Sequence, residues 1–74
     1  MKAEGQREGV PDLMLAVAKC GYHGLFIEMK APGGSVRKHQ RDYHQKLREQ
    51  GYLVEVVKSQ GAFMKVINDY LLDV

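Results

Sequence analysis

The tetrapeptide Ala31-Pro32-Gly33-Gly34 constrains this chain more than any other segment, because neither a strand nor a helix continues through it. Ahead of it, Leu25 to Lys30 is an apolar run of strand length. Behind it, Ser35 stands as the N-cap of a helix reaching about Gln50, and Gly51 takes the left-handed position that ends such a helix. Tyr52 to Lys58 alternates and is β-branched, which predicts another strand. A strand, a helix and a strand in succession form a right-handed crossover, so the two strands are expected to be parallel with the helix on one face.

Upstream, Leu13 to Ala18 forms a short apolar strand after Pro11, and Cys20-Gly21-Tyr22-His23-Gly24 supplies turn residues, predicting a hairpin with a loop of about five residues. Downstream, Ser59 caps a final helix over 60–72, with Phe63, Val66, Ile67, Tyr70 and Leu71 on one face. The expected order is ββαβα, an α/β domain over residues 9–74 preceded by a polar arm at 1–8. A chain of 74 residues holds one small core. Domains near this size bury only about 60% of their unfolded surface and commonly rely on a metal or a second chain. The single cysteine, Cys20, excludes an internal disulfide and a Cys-rich zinc site. No apolar stretch approaches the roughly 20 residues of a membrane span, and Met1 to Gln6 lacks the apolar region of a secretion signal, so a soluble cytoplasmic protein is expected.

Chemistry concentrates at the end of the second strand. Glu28 and Lys30 lie two apart and share a face, while Phe26, Ile27 and Met29 continue a buried strand pattern. Buried charge costs several kcal/mol, roughly, per ion unless it is compensated, and a second carboxylate at Asp12 together with a divalent cation meets that need. A hard cation such as Mg²⁺ relieves the repulsion of two carboxylates and keeps waters, one of which becomes a nucleophile. Lys30 then contacts the attacking water or a phosphate oxygen. In the following helix Val36, Gln40, Tyr43 and Leu47 recur on the core-facing stripe, placing an amide one turn above the loop.

The net charge of +2 hides a local excess. Six of the eleven basic side chains (Lys30, Arg37, Lys38, Arg41, Lys46, Arg48) fall within one segment that contains a single acid, Asp42. Arg37, Arg41, His44 and Arg48 form a stripe beside the core-facing one, and with Lys38 they are the expected contacts to a nucleic-acid backbone; the bland alternative is a solvated helix face. His23, His39 and His44 form no ligand cluster with Cys20, and residues 39 and 44 do not share a helical face.

Taken together, Gly9-Val10-Pro11-Asp12-Leu13, Phe26-Ile27-Glu28-Met29-Lys30-Ala31-Pro32, Gln40 and Gly51 resemble, in order and spacing over roughly residues 9–72, the VRR-NUC (virus-type replication-repair nuclease) domain of the PD-(D/E)XK superfamily. The resemblance implies a minimal restriction-endonuclease-like fold with a mixed three-stranded sheet. It makes Asp12 and Glu28 metal ligands, the backbone carbonyl of Met29 a further ligand, Lys30 the catalytic lysine and Gln40 an active-site helper. It also implies Mg²⁺- or Mn²⁺-dependent, structure-selective cleavage of DNA such as four-way (Holliday) junctions, with no small-molecule cofactor. Small stand-alone members resemble phage proteins and act as dimers, so a homodimer that completes the sheet is expected. Many members carry a further acidic ligand on an N-terminal helix followed by an extra strand; neither is visible here, and Glu4 or Glu8 is the available substitute. The competing expectations are a non-catalytic DNA-binding module and an accessory subunit that needs a partner.

Overall fold

A computed structural model describes residues 9–72 of the chain. Its elements follow in the order β1 (Leu13–Leu15), β2 (Leu25–Met29), α1 (Lys38–Glu49), β3 (Leu53–Val57) and α2 (Gln60–Leu71). The ββαβα order read from the sequence is therefore the observed one. The strands form one mixed sheet in the order β1-β2-β3. β1 runs antiparallel to β2, with Leu13 opposite Ile27 and Leu15 opposite Leu25. β3 runs parallel to β2, with Leu25 opposite Leu53 and Met29 opposite Val57.

Alternation along β2 divides its side chains between two helices. Leu25 and Ile27 point to α2, joining Val57 and Tyr70 in the buried core against Leu15, Leu53, Ala62, Phe63, Val66 and Ile67. Glu28, on the opposite face, meets Gln40 and His44 of α1. Burial of the aliphatic cluster contributes about 25 cal/mol per Å² of apolar surface removed from water and is the main source of stability in so small a fold. Among the described residues, no helix is long and apolar enough to cross a membrane.

Two boundaries and one face assignment differ from the sequence expectation. The first strand ends at Leu15 rather than Ala18, since the chain leaves the sheet and the Val17 carbonyl accepts from the Tyr70 hydroxyl instead of from β2. The connection to β2 thus spans 16–24, longer than a five-residue loop, and carries its own Lys19–Tyr22 bridge. In α1 the N-cap is Arg37, not Ser35. The Arg37 N–H donates to Oε1 of Gln40 at 2.9 Å, so the third residue of the helix satisfies the amide at its start. Leu71 is exposed rather than part of the core-facing stripe of α2. By contrast, Ser59 caps α2 as expected, its Oγ accepting from Ala62 N–H at 3.0 Å.

Two glycines hold α1 in place. Gly51 has φ +95° and its N–H bonds to the Arg48 carbonyl at 3.0 Å, closing the helix; a Cβ there would lie 2.5 Å from the His23 ring. Gly9 has φ +94°, and a Cβ would lie 2.9 Å from the His39 carbonyl. The loop leading to Pro11-Asp12 therefore runs directly against the α1 backbone.

Candidate active site

β1 begins, β2 ends and α1 starts at the same end of the sheet. Extending the β1–β2 register by one residue sets Asp12 opposite Glu28. Asp12 turns Oδ2 onto the Met29 N–H at 2.8 Å, so the residue before β1 is fastened to the last residue of β2. The β2–β3 ladder continues past Met29, where the Lys30 N–H donates to the Val57 carbonyl at 2.9 Å. These bonds hold the predicted residues 12, 28, 29 and 30 on a paired backbone rather than on a free loop.

Glu28 is the centre of the arrangement and is only 3% exposed. Its Oε2 lies 3.6 Å from Lys30 Nζ and 3.3 Å from Gln40 Nε2, and its Oε1 lies 3.4 Å from His44 Nε2. Gln40 links the two charged groups, since its Oε1 also accepts from Lys30 Nζ at 2.8 Å. The buried carboxylate is thus compensated by an ammonium, an amide and an imidazole. No buried side-chain nitrogen or oxygen among the described residues lacks a hydrogen-bond partner.

His44 departs from the sequence expectation. The stripe pattern predicts an exposed phosphate contact, yet His44 is 2% exposed and faces Glu28, because the fourth residue after Gln40 shares its helical face. That spacing, Gln40-x-x-x-His44, was the available signal. The other stripe residues are exposed, with differing commitments. Arg41 Nη1 donates to the Val36 carbonyl at 3.0 Å and Arg48 Nη2 to the Val54 carbonyl at 3.0 Å. Lys38 pairs with Asp42 at 2.9 Å. That hydrogen bond, with the nearby charges of Lys38, Arg41 and Lys46, holds the Asp42 carboxyl below the ordinary aspartate range. Arg37 lies exposed at the helix start. Glu4 and Glu8, the substitutes for a further acidic ligand, lie outside the described residues.

The donor chemistry suits a hard cation. Asp12 and Glu28 offer carboxylate oxygens and Met29 a peptide carbonyl, and a carboxylate oxygen that accepts one hydrogen bond retains a further lone pair. Among the described residues no group of three or more His, Cys, Asp and Glu side chains converges to hold a metal. Two carboxylates are nevertheless sufficient for Mg²⁺, which keeps much of its water shell.

A mixed sheet that brings Asp12 and the Glu28-x-Lys30 pair to one end, with Gln40 entering from the crossover helix, defines a nuclease-type fold of the PD-(D/E)XK class. The chain belongs to the VRR-NUC domain family, whose model matches residues 1–61. The match includes the segment read as an arm and stops one residue after the start of α2. A solved structure described as a VRR_NUC domain protein is similar, with a TM-score of 0.83 and 32% identity, over 88% of this chain and 54% of that one. The chain spans about half the length of that protein. No curated protein matches.

Proposed function

We propose that this chain is a metal-dependent DNA endonuclease domain that hydrolyses phosphodiester bonds, selecting branched DNA such as four-way junctions by shape with little base preference. The observation that carries this reading is the Lys30–Gln40–Glu28 chain of contacts, 2.8 and 3.3 Å long, beside Asp12 at the shared end of β1 and β2. A bound Mg²⁺ or Mn²⁺ supplies an activated water and offsets charge on the phosphate. Asp12, Glu28 and the Met29 carbonyl would hold that ion. Lys30 stabilises charge that grows on the phosphate during attack, and a preorganised donor of this kind is worth about 3 kcal/mol. Gln40 keeps Nζ of Lys30 from collapsing onto the carboxylate, to which it would otherwise be drawn.

Arg37, Lys38 and Arg41, on the outer side of the same helix, meet the phosphate backbone, which positions the duplex without identifying bases. Arg48 adds to this surface with the guanidinium nitrogens not used on the Val54 carbonyl. Two copies would present paired sites to a symmetric junction. The homodimer reading is supported by the apolar outer strand β1, where Leu13 and Met14 are exposed and the strand edge has no partner among the described residues.

The test is cleavage of end-labelled four-way, flap and linear duplex DNA with Mn²⁺, Mg²⁺ or EDTA, comparing wild type with Lys30→Ala and Glu28→Gln. Metal-dependent cutting of branched DNA, lost in both variants, is the expected result. Cutting that survives both substitutions, or strong cutting at one short sequence in linear duplex, refutes the reading. Salt-sensitive, metal-independent binding without cleavage would instead identify a binding module.

A further inference from the structure

His44 plays no part in the nuclease reading so far, yet it is a buried polar side chain aimed at the carboxylate on which that reading turns. Gln40 and His44 stand one turn apart on α1, and each takes a different oxygen of Glu28: Nε2 of Gln40 reaches Oε2 at 3.3 Å, and Nε2 of His44 reaches Oε1 at 3.4 Å. A carboxylate turns about its terminal torsion, a soft and roughly two-fold rotation. One donor on each oxygen stops that rotation.

We infer that His44 is a positioning residue for Glu28, its Nε2–H holding Oε1 so that the carboxylate plane is already set when a divalent cation binds between Glu28 and Asp12. This rests on the metal-dependent reading above. Outer hydrogen bonds of this kind orient ligands and govern how tightly a metal is held. Nε2 serves Glu28 as a donor only while it carries its proton, which is the tautomer this role requires. His44 touches neither ion nor DNA; burial at 2% keeps it behind the carboxylate.

The experiment is Mn²⁺ binding to the full chain without DNA, read from the electron paramagnetic resonance signal of the free ion. Wild type, His44→Leu and His44→Gln are compared, with Glu28→Gln as the control for loss of the ligand. His44→Leu removes the donor and is expected to weaken Mn²⁺ binding about tenfold or more. His44→Gln restores an N–H at similar reach and is expected to recover most of that loss, which a merely space-filling role would not require. The imidazole ¹⁵N shifts of His44 in wild type supply a second readout that needs no variant to fold, and a protonated Nε2 is expected.

Equal Mn²⁺ affinity in wild type and His44→Leu, no rescue by glutamine, or an unprotonated Nε2 overturns the inference. So does a wild-type chain that binds no Mn²⁺. A chain that shows the expected binding pattern but cuts no DNA refutes the nuclease reading alone and leaves the role of His44 supported.

Discussion

Lys30 and Gln40, ten residues apart across the Pro32-Gly33-Gly34 break, share a 2.8 Å hydrogen bond from Nζ to Oε1. The same oxygen accepts the Arg37 N–H at 2.9 Å, so the start of α1 and the end of β2 are joined through one side-chain atom. The bond therefore serves helix capping and the geometry of the candidate site at once.

Gln40→Ala removes both roles, which two measurements read separately. It removes both contacts of Oε1 and the Nε2 contact to Glu28, and it is expected to lower stability by about 1 kcal/mol, since the Arg37 amide is exposed and regains water. Cleavage is expected to fall about tenfold, because one bond worth roughly 1.4 kcal/mol of positioning is lost. Chemical denaturation and single-turnover cleavage measure the two effects; an unchanged cleavage rate would remove Gln40 from the site.

Lys30→Ala leaves Glu28 buried at 3% exposure without its cation. Removing one partner of a buried pair costs about 3 kcal/mol, and the 16% exposure of the Lys30 side chain places this case at or below that figure. The double variant Lys30→Met with Glu28→Gln is expected to be more stable than Lys30→Ala alone, as thermal unfolding would report. The opposite order would mean that the pair adds nothing to the fold.

Gly51→Ala tests the end of α1. The left-handed φ of +95° costs a residue with Cβ about 1–2 kcal/mol, and the added carbon would meet the His23 ring at 2.5 Å. Gly51→Ala with His23→Ala is expected to recover the part due to the clash and not the part due to φ. A thermal denaturation cycle over the four proteins separates the two.

Asp42 neutralises Lys38 on the exposed side of α1, with 2.9 Å between them. Asp42→Asn is expected to tighten DNA binding roughly two- to fivefold at low salt, with the gain disappearing as salt screens the surface. The pH effect has a definite sign. The Asp42 pKa is depressed in the folded chain, so its contribution is present above the unfolded value and is lost as pH falls through the lower folded value. Acidification across that window releases Lys38 in wild type and does nothing in Asp42→Asn, which fluorescence anisotropy at stepped pH would detect.

Mg²⁺ or Mn²⁺ is expected to raise the melting temperature of wild type, because the ion relieves repulsion between Asp12 and Glu28 and binds only the folded chain. Glu28→Gln should abolish this increment. An equal metal-induced shift in both proteins would place the ion elsewhere.

Local chemistry made much of this molecule legible in the sequence. The Pro32-Gly33-Gly34 break, the positive-φ Gly51 and the Ser59 cap mark element ends through backbone sterics and single hydrogen bonds, which act within a few residues. The period of two in Leu25 to Lys30 placed Glu28 and Lys30 on one face, and a strand-helix-strand order implied the parallel pairing of β2 with β3. What lay beyond reach was decided by groups distant in sequence. Ser35 was a sound cap by residue type, but Gln40, bonded to Lys30, satisfies the Arg37 amide and starts the helix two residues later. The i, i+4 spacing puts His44 on the face of Gln40 as well as beside the basic stripe, and only the packing of α1 on the sheet decides between them by turning it onto Glu28. A periodic pattern defines the faces of a helix, whereas the rotation that buries one edge of a face is set by the tertiary partner, and here the buried carboxylate of Glu28 is that partner.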